Sequence, residues 1–206
     1  MKDKHTDAVL PAQEEGKEKN IESYIESTNV DEAVQLFKAA KQRLLDVNNW
    51  DRICGKLSAV FQLTDAEGNQ VKDKPAIGNY FKIDIPGPGT VAGKGYDWVR
   101  VEAVEEHVSE DNNEEHILIR VRPSDNPTTP DNHVAHFFSD HATSNFFIER
   151  KNNIVTAAVY GRNEVPNTTN ANAIDKTRNA VVGTTATAGL SDPQWKALVN
   201  GVLGKS

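Results

Sequence analysis

Residues 30–47 read VDEAVQLFKAAKQRLLDV, and the spacing within them decides the rest of the fold. Val30, Val34, Phe37, Lys41 and Leu44 step by four, three, four and three, and Ala33 and Ala40 widen the stripe. That is the pattern of a one-sided helix with an apolar face. Thr28 or Asn29 is placed to cap it, and Asp31 and Glu32 fall in the first turn, where the helix dipole favours acids. Asn48-Asn49 ends the helix, and Trp50 follows at once.

Outward from this helix the period changes to two. Before it, Ile21–Ser27 (IESYIES) reads as a short first strand. After it, Leu57, Ala59, Phe61 and Leu63 alternate with Ser58, Val60 and Gln62, and Phe81, Ile83 and Ile85 alternate with Lys82 and Asp84. Val99, Val101 and Ala103 alternate with Trp98, Arg100 and Glu102, and Ile117, Ile119 and Val121 with Leu118, Arg120 and Arg122. Phe146 and Ile148 flank Phe147, and Ile154–Tyr160 is a β-rich run. Turn signals at Asp65–Asn69, Pro86-Gly87-Pro88-Gly89 and Lys151-Asn152-Asn153 separate them at hairpin-like spacings. This predicts an α+β fold with a curved sheet of six or seven antiparallel strands between residues 21 and 160.

The chain closes on a second helical stretch, expected over residues 171–203 and broken at Gly189. Ser191-Asp192-Pro193 restarts it, and Trp195, Leu198, Val199 and Val202 make its apolar face. Between the last strands lies one long loop, Pro123–Ser144, with aromatic anchors Phe137 and Phe138. A loop of this length inside a domain is commonly functional.

Composition narrows the function. With 206 residues, 37% hydrophobic and 26% charged, the chain can bury one domain's core. A net charge of −7 argues against nucleic acid, which requires a basic patch. Seven acids and no Lys or Arg lie between Glu102 and Glu115; against a calcium or cationic-partner site, they read as a solvated hairpin tip around Asp111-Asn112-Asn113, since charge runs usually face water. Cys54 is the only cysteine, so no intramolecular disulfide forms, and a cytoplasmic location is expected. Residues 1–20 are polar apart from Ala8-Val9-Leu10. They read as a disordered, dispensable tail, with no signal sequence or membrane span, ahead of a single domain at 21–206.

This layout resembles the START-like helix-grip superfamily, which includes polyketide cyclases, aromatases and plant pathogenesis-related lipid binders. The resemblance lies in the element order over residues 21–203 and in the Asn48-Asn49-Trp50-Asp51 corner. It implies a curved sheet gripping the C-terminal helix, and a cavity between them for a small apolar or amphipathic ligand. Phe81, Ile83, Val99, Val101, Ile119, Val121, Phe146 and Ile148 would line that cavity opposite Val181, with Phe137 and Phe138 on a lid loop.

Specific chemistry is sparse. His133, His136, Asp140 and His141 share the long loop, but its prolines and the lack of a Glu between the histidines leave no metalloprotease pattern. No metal or other cofactor is expected. The glycines of PGPGTVAGKG (residues 86–95) precede a strand rather than a helix, so they read as a turn rather than a phosphate cradle. Tyr80, Tyr96 and Trp98 are candidates for pocket walls or for plain cross-strand pairs, and Arg100, Arg120 and Arg122 read as solvent-facing. Three functions stay open: a ligand-binding module, a cyclase- or dehydratase-type enzyme using Asp97, His107 or His116, and a structural or regulatory domain with a filled core.

Overall fold

The structure is a computed structural model that describes residues 9–54, 59–85, 90–130, 132–168 and 192–205. Helix α1 spans Val30–Leu45. Asn29 caps it, its side-chain oxygen accepting the Glu32 N–H at 2.9 Å. The Glu32 carboxylate in turn accepts the Thr28 hydroxyl at 2.6 Å and the Thr28 N–H at 3.2 Å, so donors on both sides of the helix start are satisfied. The helix stops at Leu45 because Asp46 leaves helical geometry. A 3₁₀ turn at Val47–Asn49 then leads into a short helix α2, Trp50–Cys54. The buried stripe is Ala33, Phe37, Ala40, Leu44 and Leu45, while Val30 in the first turn is 41% exposed.

Seven strands form one sheet: β1 Lys17–Glu26, β2 Val60–Thr64, β3 Tyr80–Asp84, β4 Asp97–Val108, β5 Glu114–Pro123, β6 Thr143–Lys151 and β7 Ile154–Glu164. Their order is β1-β7-β6-β5-β4-β3-β2, and every pairing is antiparallel. The chain crosses from one edge to the other through α1 and α2, then meanders back until β7 meets β1. The acidic stretch is the far end of the β4–β5 hairpin, as its composition suggests. At its tip Asp111 accepts the Ser109 hydroxyl and the Asn113 N–H, and these bonds hold its carboxyl down at about 2.

Helix α3, Asp192–Leu203, lies against β1, β7, α1 and α2. It approaches α2 so closely that a Cβ on Gly201 would sit 2.2 Å from the Ile53 carbonyl oxygen. The earlier part of the expected closing helix, 171–191, lies outside the described residues, as does the Pro86–Gly89 turn. No helix among the described residues is long and apolar enough to cross a membrane.

The segment expected as a tail is a docked arm from Val9 onward. Val9 and Leu10 pack on the outer sheet face against Leu118, Phe147, Ala158 and Tyr160, and the Arg120 guanidinium donates to the Val9 carbonyl. Asn163 holds the next residues. Its side-chain oxygen accepts the N–H groups of Glu14 and Glu15 at 2.8 and 3.1 Å, and its amide donates to the Ala12 carbonyl at 3.0 Å. Gly16, at φ +66°, then passes so close to Glu164 that a Cβ would lie 2.7 Å from its carbonyl oxygen. The tail reading therefore gives way for these residues, and β1 itself starts at Lys17. Deleting residues 1–16 is expected to cost about 2 kcal/mol, from uncovering the Val9–Leu10 contact, or about 4–8 °C of melting temperature. A calorimetric shift below about 1 °C would show that the arm contributes nothing.

Both sheet edges are covered. At β2, Gln70 bridges to Thr64 and the Val71 N–H donates to the Leu63 carbonyl at 2.8 Å. At β1, Lys196 donates to the Glu22 carbonyl, and Lys205 donates to the Tyr24 carbonyl at 2.6 Å. At one end of the sheet, Arg150 is 2% exposed. Its guanidinium donates to Glu115 at 2.6 Å and to the carbonyls of Asn112, Asn113 and Asn152 at 2.7, 3.3 and 3.0 Å, tying the β4–β5 turn to the β6–β7 turn.

Candidate functional site

The sheet's concave face carries the candidate site. Strand parity and register bring all eight expected wall residues of the sheet into one apolar layer. Phe81 pairs with Val99, Val101 with Val121, Ile119 with Phe146, and Ile117 with Ile148. The ninth residue, Val181, lies outside the described residues. One detail of the alternation fails. A bulge between Val101 and Ala103 sets Ala103 opposite Arg120 and Val104 opposite Ile119, so Val104 takes the inward position expected for Ala103.

Trp50 is fully buried in this layer. Its ring centroid lies 5.1 Å from Phe61, 5.7 Å from Phe81 and 4.7 Å from Phe146, and its indole N–H donates to the Leu44 carbonyl at 3.0 Å. Trp195 of α3 approaches Phe146 at 5.6 Å and Phe61 at 6.5 Å. The corner that aims Trp50 inward is pinned by Asn48, whose side-chain oxygen accepts the Leu63 N–H at 2.9 Å while its amide donates to the Val71 carbonyl at 2.8 Å. The described helices rest mainly on β1, β2, β6 and β7. The inward residues of β3, β4 and β5 continue the same layer beyond that footprint.

The long loop reaches this layer. Phe137 joins it, and Phe138 packs beside it. The His136 ring stacks on Phe137 with centroids 4.2 Å apart, and its Nδ1 accepts the Phe138 N–H at 3.0 Å. The Asn167 N–H donates to the Phe137 carbonyl at 2.8 Å, and its side chain donates to the Val134 and His136 carbonyls. The loop is thus fastened to the chain just beyond β7.

The other singled-out residues lie elsewhere. His107 and His116 face each other across β4 and β5 with rings 5.3 Å apart, and His116 rests on Phe147 of the outer face. They share parity with Leu118, not with Ile117, and so stand away from the concave layer. Asp97 has the inward parity of Val99 and is 1% exposed. Tyr80, Tyr96 and Trp98 form a separate cluster with Ala92 and Ala135. Arg120 and Arg122 bind outer-face groups, Asn145 and Glu102, and Arg100 is exposed. His141 pairs with Glu15 at 2.7 Å, which raises its pKa, and His133 is exposed. Among the described residues no three His, Cys, Asp or Glu side chains are grouped to hold a metal. Burial, helped by Asp51, pushes the Cys54 thiol up to about 12, so it is no thiolate nucleophile at neutral pH. Two residues escaped the sequence reading: Asn48 as the corner's pin, and Arg150, whose signal was a charge at the inward parity of Phe146 and Ile148.

No protein-family profile matches the chain, and no curated protein matches its sequence. Among solved structures it is similar to norcoclaurine synthase from Thalictrum flavum in complex with dopamine and hydroxybenzaldehyde, at 8% identity and a TM-score of 0.41, over 95% of this chain and 94% of that one. It is similar to Ara h 8.0201 at 13% identity and a TM-score of 0.32, over 92% and 100% of the two chains. A third, ginseng major latex-like protein 151 from Panax ginseng, gives 8% identity and a TM-score of 0.33, over 92% and 97%. The sheet order, the helix pair between β1 and β2, and the C-terminal helix on the concave side make this a helix-grip α+β fold.

Proposed function

We propose that the chain is a binding domain that holds a small apolar or amphipathic molecule between the sheet and the C-terminal helical segment. The observation that supports this is the apolar layer of Ile83, Val99, Val101, Ile119 and Val121, which runs on past the strands bearing the helices. Walls of this kind suit a ring or a chain, held by area rather than by directed polar contacts. Phe81, Phe146 and Ile148 would meet the ligand on the Trp50 side, Val181 from the closing segment, and Phe137 and Phe138 would cover the end as a lid. The reading needs no cofactor. It takes residues 21–206, with β1 carried back to Lys17, as the binding domain, in the cytoplasm, with neither nucleic acid nor membrane as partner.

A second reading, a structural or regulatory domain with a filled core, is favoured by burial: the fully buried Trp50 ring occupies the layer, and its walls are 0–4% exposed. Native mass spectrometry and an apolar fluorescent probe separate the two. The binding reading expects a co-purifying small molecule, or micromolar probe affinity that Val101→Trp removes while circular dichroism stays native. Overpacking at that site costs roughly 1–3 kcal/mol, so the fold check is part of the test. No bound mass and no probe binding to the unmodified protein would leave the filled-core reading.

A further inference from the structure

A groove of about 440 Å³ lies along the flank of α1's second half, lined by Lys38, Lys41, Gln42, Leu45, Asp46, Lys72, Asp73 and Lys74. Its volume falls in the roughly 300–1,000 Å³ range of small-molecule sites. Both walls are held. One is a helix, and the other, residues 70–74, is fixed by the Asn48 amide on the Val71 carbonyl and by the Val71 N–H on Leu63.

The charge in this groove is unbalanced. Asp73 accepts the Lys74 N–H at 2.7 Å, and both Asp46 carboxylate oxygens accept the Asn49 amide at 2.9 Å; these donors are neutral, so both acids keep their charge and offset two of the four lysines. Lys41 pairs with Glu106. Lys38, Lys72 and Lys74 have no ion pair among the described residues. In a chain of net charge −7, a lining of four lysines against two aspartates is net positive, a local reversal of sign. Ammonium groups on flexible stems suit a multiply charged anion approached from several sides, and the lysine stems and Leu45 offer apolar wall to an attached organic group.

We propose that this groove binds a small phosphate-bearing anion, a site separate from the concave layer. The test is a titration of the full chain with sodium pyrophosphate at low salt, followed by amide chemical shifts. Saturable shifts are expected around residues 38–46 and 71–74, weakening as salt is added. The double variant Lys72→Glu, Lys74→Glu, at exposed positions, is expected to weaken binding about tenfold or more by reversing two charges beside the anion. It should leave the circular dichroism spectrum and any apolar-probe binding unchanged. Shifts spread equally over Lys17, Lys19 and Lys196, or affinity retained in the double variant, would overturn the proposal. A parallel arm uses vesicles of phosphatidylcholine with anionic phospholipid. Binding to these without any response to pyrophosphate would assign the lysines to a lipid surface and likewise overturn it.

Discussion

Trp50→Ala is expected to lower the unfolding free energy by about 4–5 kcal/mol, at the upper end for aromatic truncations. The ring is fully buried and packs against Phe61, Phe81 and Phe146. The truncation also strips the Leu44 carbonyl of its donor. Domains carry only about 5–15 kcal/mol in total, so a large part of the variant should be unfolded at mild urea concentrations. Trp50→Phe keeps most of the packing and should lose less than half as much. If the unfolding free energy from urea titration fell by under about 1 kcal/mol, Trp50 would not be the keystone of the concave layer.

The second large effect is expected at Arg150. Arg150→Ala removes the partner of the mostly buried Glu115 and the donors to three turn carbonyls, a change in the class that costs about 3–5 kcal/mol. Arg150→Lys should recover only a fraction, since an ammonium cannot fork toward Asn112, Asn113 and Asn152 together. Amide exchange gives the specific signature: both turns, at residues 109–113 and 151–153, should lose protection in step. Faster exchange at one turn alone would mean that the two are not coupled through this side chain.

The strands were legible because period-two alternation is a local property. Phe81, Ile83, Ile119 and Ile148 face the core for the same reason that they alternate with Lys82, Arg120 and Glu149. The bulge after Val101 was not legible, because Val99, Val101 and Ala103 alternate without a fault, and only the partner strand reveals the extra residue. The arm was misread for a related reason. Composition shows Val9 and Leu10 but not the outer-face cluster that receives them, nor the side chain of Asn163 that bonds the arm's main chain. The wall residues of the candidate site followed from parity alone. Whether Trp50 fills the layer depended on the turn at Val47–Asn49, a matter of a few backbone angles that the residues Asn48 and Asn49 signalled without specifying.

The covered edges bear on how this chain behaves in a crowded solution. An open sheet is a template that another strand can lengthen, and long edge strands are where such growth begins. Here a newcomer at β2 meets the chain's own residues 70–71, and at β1 it meets ammonium groups already seated on the Glu22 and Tyr24 carbonyls. The seam is therefore closed by charge on one side and by covalent continuity on the other. Chemistry that erases the charge of Lys196 and Lys205, such as acetylation, would loosen one side only, weakening the cover of the β1 edge against an added strand while the β2 edge stays shut.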